Sequence, residues 1–247
     1  MTLCVGIGNT NIRCAVGSAA NYTKGVLLTE KAQNADDFTC FIEDSFQSDI
    51  WQKLERCIIS SVVPQKNEII EKSLRNKRES LSVQYVDLTK CNVDFSRYKT
   101  RLGDDRAVCS AAAAARYDTP IIVVDFGTAT TVNVINEEKI FLGGAILVGV
   151  KTGLAALSSA TAQLGAGGDL SRVTVIGEDT NECLVSGAVI GTVAMVEGYV
   201  TRIKNMLGKE PTIVLTGGNA TKITPYCDFD FVHEPSLLIE GLFLLQK

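Results

Sequence analysis

The sequence predicts an α/β protein whose two halves repeat one pattern. Each half opens with three β-rich runs joined by tight glycine turns. In each, helical and strand-length segments then alternate, the arrangement of an α/β sheet. Both halves also place glycine followed by Asn or Thr directly after an apolar strand, in "GIGNTNIR" (6–13) and "DFGTATT" (125–131). A chain of 247 residues is long enough for two lobes of about 120 residues each, facing one another across a cleft. The expected division is 1–118 and 119–247, since the order restarts after Asp118, Thr119 and Pro120.

In the first half, "TLCVGI" turns through "GNTN" into "IRCAVG", and "GVLLTE" supplies a third strand. "ADDFTCFIEDSF" has helical spacing, with Asp36 or Asp37 favouring its N-terminus. "RCIISSVV" is an apolar strand ended by Pro64, "NEIIEKSLRNKRES" has the mixed charge of a solvated helix, and "SVQYVDL" closes the set as a strand. The second half reads as strands "IIVVDFG", "ATTVNVI" and "KIFLGGAI", then helices "GLAALSSATAQL" and "NECLVSGAVIGTVAMVEGYVTRIKNML". The strand "TIVLTGGN" and a closing helix "SLLIEGLFLLQK" complete it, and "LGAGGDLS" reads as a loose loop.

A net charge of −4 gives no positive field to gather a phosphate backbone, so nucleic acid is not an expected partner. No run reaches the roughly 18–20 consecutive apolar residues that span a bilayer. With no basic leader or cleavage site at "MTLCVGIGN", the expected location is cytoplasmic, with no membrane partner. The eight cysteines are scattered with no C-x-x-C pair, and most fall in apolar segments, so buried reduced thiols are expected. The single histidine, His233, beside Phe231 and Val232, is read as structural.

The paired hairpins carry the chemical signal. Glycine lets a backbone approach phosphate closely, and the following hydroxyl and N–H groups can donate to its oxygens. One such turn is usually only a turn, whereas two at corresponding places favour phosphate binding. "LGDDRAVCSAAAAARY" sets Gly103, Asp104, Asp105 and Arg106 at the start of an alanine-rich helix. An N-cap role accounts for Asp104 about as well as a functional one. Arg106 fits that reading badly, because a cation in the first turn opposes the helix dipole and would be better placed against an anion. Thr180 in "GEDTNECLVSG" starts a long helix and can be a cap or a contact. "LTGGNA" ends a strand in paired glycines, suited equally to a tight turn and to a base or ribose.

Taken together, the G-N-T hairpin at Gly8, Asn9 and Thr10, "GDDR" at 103–106, "VDFGTATT" at 124–131, "LGGAI" at 142–146, "DTNECLVSG" at 179–187 and "TGG" at 216–218 resemble the type III pantothenate kinases. The resemblance spans nearly the whole chain. It implies two duplicated actin-like (ribonuclease H-like) lobes with a nucleotide cleft between them, and ATP-dependent phosphorylation of the primary hydroxyl of pantothenate. It further implies Asp105 as general base, with Gly103, Asp104, Arg106, Thr180 and Tyr98 around the substrate. Gly6, Ile7, Gly8, Asn9, Thr10, Asn11, Ile12, Arg13 and Thr128 would meet the nucleotide. ATP would come with Mg2+, Asp125 would hold a monovalent cation (potassium or ammonium), and the chain would form a homodimer.

The chain also departs from the family pattern. That pattern begins D-x-G-N-T, and here the first position is Gly6, which has no ligand atom. Losing an anionic group beside the metal nucleotide predicts a lower rate. Val148 and Gly165 stand where proline is usual, and "GEDT" is acidic where Lys and Asn are common. The Tyr98–Gly103 spacing is about two residues short, which leaves a solvent-facing Tyr98 as the competing reading. Two functional readings follow: an active kinase whose metal is held by other groups such as water and Asp125, and a catalytically impaired paralogue that binds ligand or a partner.

Overall fold

The computed structural model describes residues 1–47, 49–161 and 169–245. Most of the loop at 164–171 lies outside the described residues, and Gly165 with it.

The chain forms two compact units, each built on a mixed five-stranded sheet. In the first, β1 (Thr2–Ile7), β2 (Asn11–Ser18) and β3 (Asn21–Leu28) run antiparallel, and β4 (Arg56–Ser61) and β5 (Ser82–Tyr85) add in parallel beyond β1, giving the order β3-β2-β1-β4-β5. The second sheet uses β6 (Ile121–Phe126), β7 (Ala129–Ile135), β8 (Phe141–Val148), β9 (Thr212–Thr216) and β10 (Val232–His233), ordered β10-β9-β6-β7-β8. Its pairing directions repeat those of the first: β6–β7 and β7–β8 antiparallel, β6–β9 and β9–β10 parallel. Strands β1 to β5 therefore correspond one by one to β6, β7, β8, β9 and β10, which is the duplication expected from the pattern of runs.

Eight α-helices accompany the described strands: α1 (Ala35–Phe46), α2 (Ile50–Lys53), α3 (Pro64–Lys77), α4 (Asp104–Arg116), α5 (Val150–Ala160), α6 (Thr180–Leu207), α7 (Ala220–Ile223) and α8 (Leu237–Leu244). Helix α1 begins where the acidic pair suggested, by a capping box. Asn34 Oδ1 accepts from the Asp36 and Asp37 amides, and Asp37 returns a bond to the Asn34 amide at 3.0 Å. Pro64, expected to end a strand, also opens α3 at its first turn, where a missing N–H costs nothing.

Alternation along β1 sorts the first unit into two cores. Leu3, Val5 and Ile7 face α1 and α3 with Ile12, Phe38, Ile42, Ile70 and Leu74, whereas Cys4 faces Ala15, Ile58, Val108 and the α8 residues Ile239, Leu242 and Phe243. Helix α8 thus packs on β1, β2 and β4. The first unit accordingly comprises Met1–Asn92, Thr100–Ala112 and Leu237–Lys247, and the second Val93–Lys99 and Ala113–Ser236. This partition is not two unbroken halves meeting after residue 118. The apolar face of α8 finds its core in the first sheet, and the division cuts α4 after Ala112.

In the second unit, Val185, Val189, Val193, Val196 and Val200 of α6 join Val124, Phe126, Val132, Val150 and Leu154 in one core. By length and mean composition alone α6 could cross a bilayer, although it holds no run of 18 consecutive apolar residues. Its row of buried valines makes it a core helix of this unit.

All eight cysteines are free thiols. Cys4, Cys14, Cys57 and Cys109 are buried, but Cys40 and Cys183 lie exposed, so fewer are core residues than the apolar context suggested. Burial pushes the Cys4, Cys14 and Cys57 thiols well above their ordinary range and those of Cys91 and Cys227 up to about 11, so all five remain protonated at neutral pH.

Candidate active site

The first hairpin caps β1 in the first unit. Gly8 N–H donates to Asn11 O at 3.0 Å, and Thr29 braces the turn from behind, its hydroxyl donating to Gly8 O at 2.7 Å and its amide to Thr10 O at 2.9 Å. Asn9 and Thr10 are exposed at the tip of this turn. Ile7 and Ile12 instead put their side chains in the core, so only their backbone is on offer. Gly6 pairs with Arg13 across β2 and with Ser60 along β4, on the face that α8 covers. A Cβ at Gly6 would lie 2.8 Å from Leu238 Cδ2.

The start of α4 belongs to the same unit. Gly103 O accepts from Ala107 N–H at 3.1 Å, so the helix opens just after that glycine. Asp105 Oδ1 accepts from the Arg106 amide at 2.8 Å and lies so close to Gly103 that a Cβ there would stand 2.8 Å from it. The Ser61 backbone at the end of β4 hydrogen-bonds Asp104, linking the helix start to the sheet. Burial raises the Asp104 pKa, an effect opposed by the Ser61 bond and by Arg101 and reinforced by Asp105. Arg106 follows in the same turn, partly buried.

The second hairpin caps β6 in the second unit. Gly127 N–H donates to Ala129 O at 3.1 Å, matching Gly8. The paired registers place Asp125 opposite Thr131 and Thr216, as Gly6 lies opposite Arg13 and Ser60. Asp125 is therefore the duplicate of Gly6. Its carboxylate lies against two glycine backbones, Gly127 and Gly217, and Gly217 has φ +104, a conformation glycine accepts readily. Asn219 closes the turn, its amide donating to Phe126 O at 3.0 Å and its Nδ2 to Gly127 O at 3.2 Å. Thr128 is exposed, and its carbonyl accepts from the Thr152 hydroxyl at 2.7 Å in the first turn of α5. Gly149 leaves room for that approach, since a Cβ there would stand 2.6 Å from Gly127 O.

Two further predicted residues belong to the second unit. Tyr98 packs edge-on against Phe141 with centroids 5.5 Å apart and lies near Gly143, partly buried rather than solvent-facing. Thr180 is exposed in the first turn of α6, and the cap of that helix is Asp179, whose Oδ1 accepts from Glu182 N–H at 2.8 Å. Sequence reasoning missed Thr29, Gly149, Thr152, Asn219 and Leu238. Each acts on a hairpin distant in sequence, and no local spacing marks it.

Comparison with known proteins identifies the family. The sequence pattern of the family described as Type III pantothenate kinase matches residues 2–202. A Type III pantothenate kinase of Exiguobacterium sp. is 32% identical over 251 residues, covering 100% of this chain and 98% of that protein. Among solved structures, a protein described as a Baf family transcriptional activator from Campylobacter jejuni superposes with a TM-score of 0.64 at 20% identity, covering 98% of this chain and 96% of the other. A ROK family glucokinase from Streptomyces griseus does so with a TM-score of 0.54 at 10% identity, covering 98% and 96%, and shares the α/β fold. The chain belongs to the type III pantothenate kinase family.

Proposed function

We propose that the protein transfers the γ-phosphoryl group of ATP to the primary hydroxyl of pantothenate, yielding 4'-phosphopantothenate, the first step of coenzyme A formation, with Asp105 as general base. The single observation that carries this reading is the duplicated hairpin pair in a chain of this family, together with a carboxylate at the start of α4 held by its own helix amide. Asp105 accepts the hydroxyl proton as the alcohol oxygen bonds to phosphorus and ADP leaves. The 6–13 and 126–129 backbones, with Asn9, Thr10 and Thr128, donate to the phosphate oxygens. The family resemblance assigns Gly103, Asp104, Arg106, Tyr98 and Thr180 to pantothenate, with Arg106 suited to its carboxylate or to the transferring phosphoryl group.

ATP is used with Mg2+ in such kinases. The β1 hairpin does not fit a divalent ion: Gly6 has no ligand atom, and a Leu238 methyl stands where its side chain would begin. Among the described residues no three His, Cys, Asp or Glu side chains gather to hold a metal. Asp125, a carboxylate among glycine backbones, offers the hard oxygen donors that a monovalent cation takes. Such a cation would offset phosphate charge.

A homodimer is the proposed assembly. On the second unit, Val148, Leu157, Met195 and Tyr199 are exposed, and with Gly153 and Ala188 several of them line an apolar groove of about 420 Å³ between α5 and α6. Light scattering at twice the chain mass supports it, and a monomer at all concentrations overturns it.

The test of function is a coupled ADP-release assay with and without pantothenate. The parent protein consumes ATP only with pantothenate present, and Asp105→Asn lowers that rate about 10²–10⁴-fold with an unchanged melting temperature. Pantothenate-independent turnover, or an unaffected Asp105→Asn rate, rejects the reading.

A further inference from the structure

The duplicated registers make Gly6 and Asp125 counterparts, yet one strand end carries a carboxylate and the other carries nothing. The space is not left open. Leu238 Cδ2 lies 2.8 Å and its Cγ 3.6 Å from the point where a Cβ on Gly6 would be. A real Cβ does not sit at 2.8 Å from carbon, so a side chain at 6 and the present Leu238 conformation exclude each other.

Helix α8 cannot simply withdraw. The Tyr22 hydroxyl donates to Glu240 Oε1 at 2.8 Å, and the Tyr22 and Phe243 rings lie 5.3 Å apart, both contacts pinning α8 to β3. At Gly241 the helix touches α4 so closely that a Cβ would stand 2.6 Å from Val108 Cγ1 and 2.9 Å from Val108 O. Leu237, Ile239, Leu242 and Phe243 are buried on either side of the partly exposed Leu238. With its helix fixed, Leu238 can yield only by turning its own side chain.

We propose that Leu238 is an apolar plug for the Gly6 position, so that the end of β1 excludes a metal-holding carboxylate by packing as well as lacking one. The inference rests on the kinase reading for its consequence at the nucleotide, and on the first unit alone for its geometry. Residues 6 and 238 then form one coupled pair. A carboxylate placed at 6 reaches a cation well only when the side chain at 238 is shortened too, and the strand-end carboxylate of the duplicated hairpins is left to Asp125.

Two measurements test this. Thermal unfolding of the parent, Gly6→Ala, Leu238→Ala and the double variant reads the packing term. Gly6→Ala lowers the melting temperature by about 3–8 °C in the parent and has no measurable effect in the Leu238→Ala background. Should Leu238→Ala melt too early to compare, Leu238→Val replaces it. Mn2+ titrated into Gly6→Asp and Gly6→Asp/Leu238→Ala, followed by the paramagnetic signal of the free ion, binds roughly tenfold more tightly to the double variant. Additive melting shifts, or equal Mn2+ affinity in the two Asp variants, overturn the plug. Neither experiment needs pantothenate or turnover, so its failure is distinct from failure of the kinase assay.

Discussion

The carboxylate of Asp125 and the backbone of Gly217 occupy adjoining space so closely that a Cβ on Gly217 would strike Asp125 Oδ1 and stand 2.5 Å from the Phe126 amide nitrogen. Because that glycine also holds φ +104, replacing it adds backbone strain to a collision with main-chain atoms that cannot turn aside. Gly217→Ala is expected to cost about 2–4 kcal/mol, a drop of about 5–15 °C in melting temperature. If Asp125 holds the monovalent cation, the variant also loses its potassium stimulation of ATP turnover. Calorimetry and a potassium titration check the two halves of this expectation, and a parent-like melt refutes the first.

A second glycine works on the proposed base without backbone strain. The atom nearest a Cβ on Gly103 is Asp105 Oδ1 at 2.8 Å, the movable end of a side chain, and the next is Val62 Cγ1 at an ordinary 3.6 Å. Gly103→Ala therefore shifts the carboxylate and leaves the rest of the unit in place. Turnover should fall about 10–100-fold for a displacement near 1 Å. The melt should change by only about 1 kcal/mol, as for alanine in a helix-capping position. Steady-state kinetics beside a melt decide it; a full rate would show that Asp105 tolerates the crowding or takes no part.

Asp104 offers a stability test with a defined sign. Burial holds its folded pKa above the ordinary carboxylate value, so the stability contributed by its protonated form is complete below that ordinary value and is lost as pH rises through the raised one. At neutral pH the ionised group is a net cost, small because it is only partly buried. Asparagine retains an acceptor for Ser61. Asp104→Asn should thus melt slightly above the parent at pH 7, by a fraction of a kcal/mol, and the gap should close as pH falls into the carboxylate range. A gap that widens in acid would contradict the assigned burial effect.

These positions show which parts of the molecule were legible in the sequence. Strand runs and their glycine turns are local signals, so the order β1-β2-β3 and its repeat β6-β7-β8 could be read from alternation and turn chemistry. Gly6 and Asp125 each stand two residues before their hairpin glycine in the sequence, and although four residues separate Ile7 from Ile12 and three separate Phe126 from Thr130, the sheet register makes them counterparts. Helix α8 was visible as an apolar segment, yet nothing in its periodicity says which sheet it covers. Its return to β1 moved the unit boundary and brought Leu238 onto Gly6. The bond between Asp104 and Ser61 was not legible either, because an acidic residue at a helix start can serve its own helix or a neighbouring strand and its local sequence does not distinguish them.

Where α8 meets α4, volume is the controlling quantity, and a comparison of two glycines separates it from backbone conformation. A Cβ on Gly241 would meet Val108 Cγ1 at 2.6 Å, Val108 O at 2.9 Å and Ala112 Cβ at 3.1 Å, so at least one neighbour is main chain. Gly208, which ends α6 at φ +67, has nothing within 4 Å of its Cβ position, so only the left-handed backbone resists a side chain there. Gly208→Ala is expected to cost about 1 kcal/mol. Gly241→Ala should cost about 3 kcal/mol, near the upper end of core overpacking, because the helices must separate. Melting curves of the two variants rank them. A Gly241→Ala protein no less stable than Gly208→Ala would mean that α8 rides loosely on α4, and the fixed seat of Leu238 over Gly6 would lose its support.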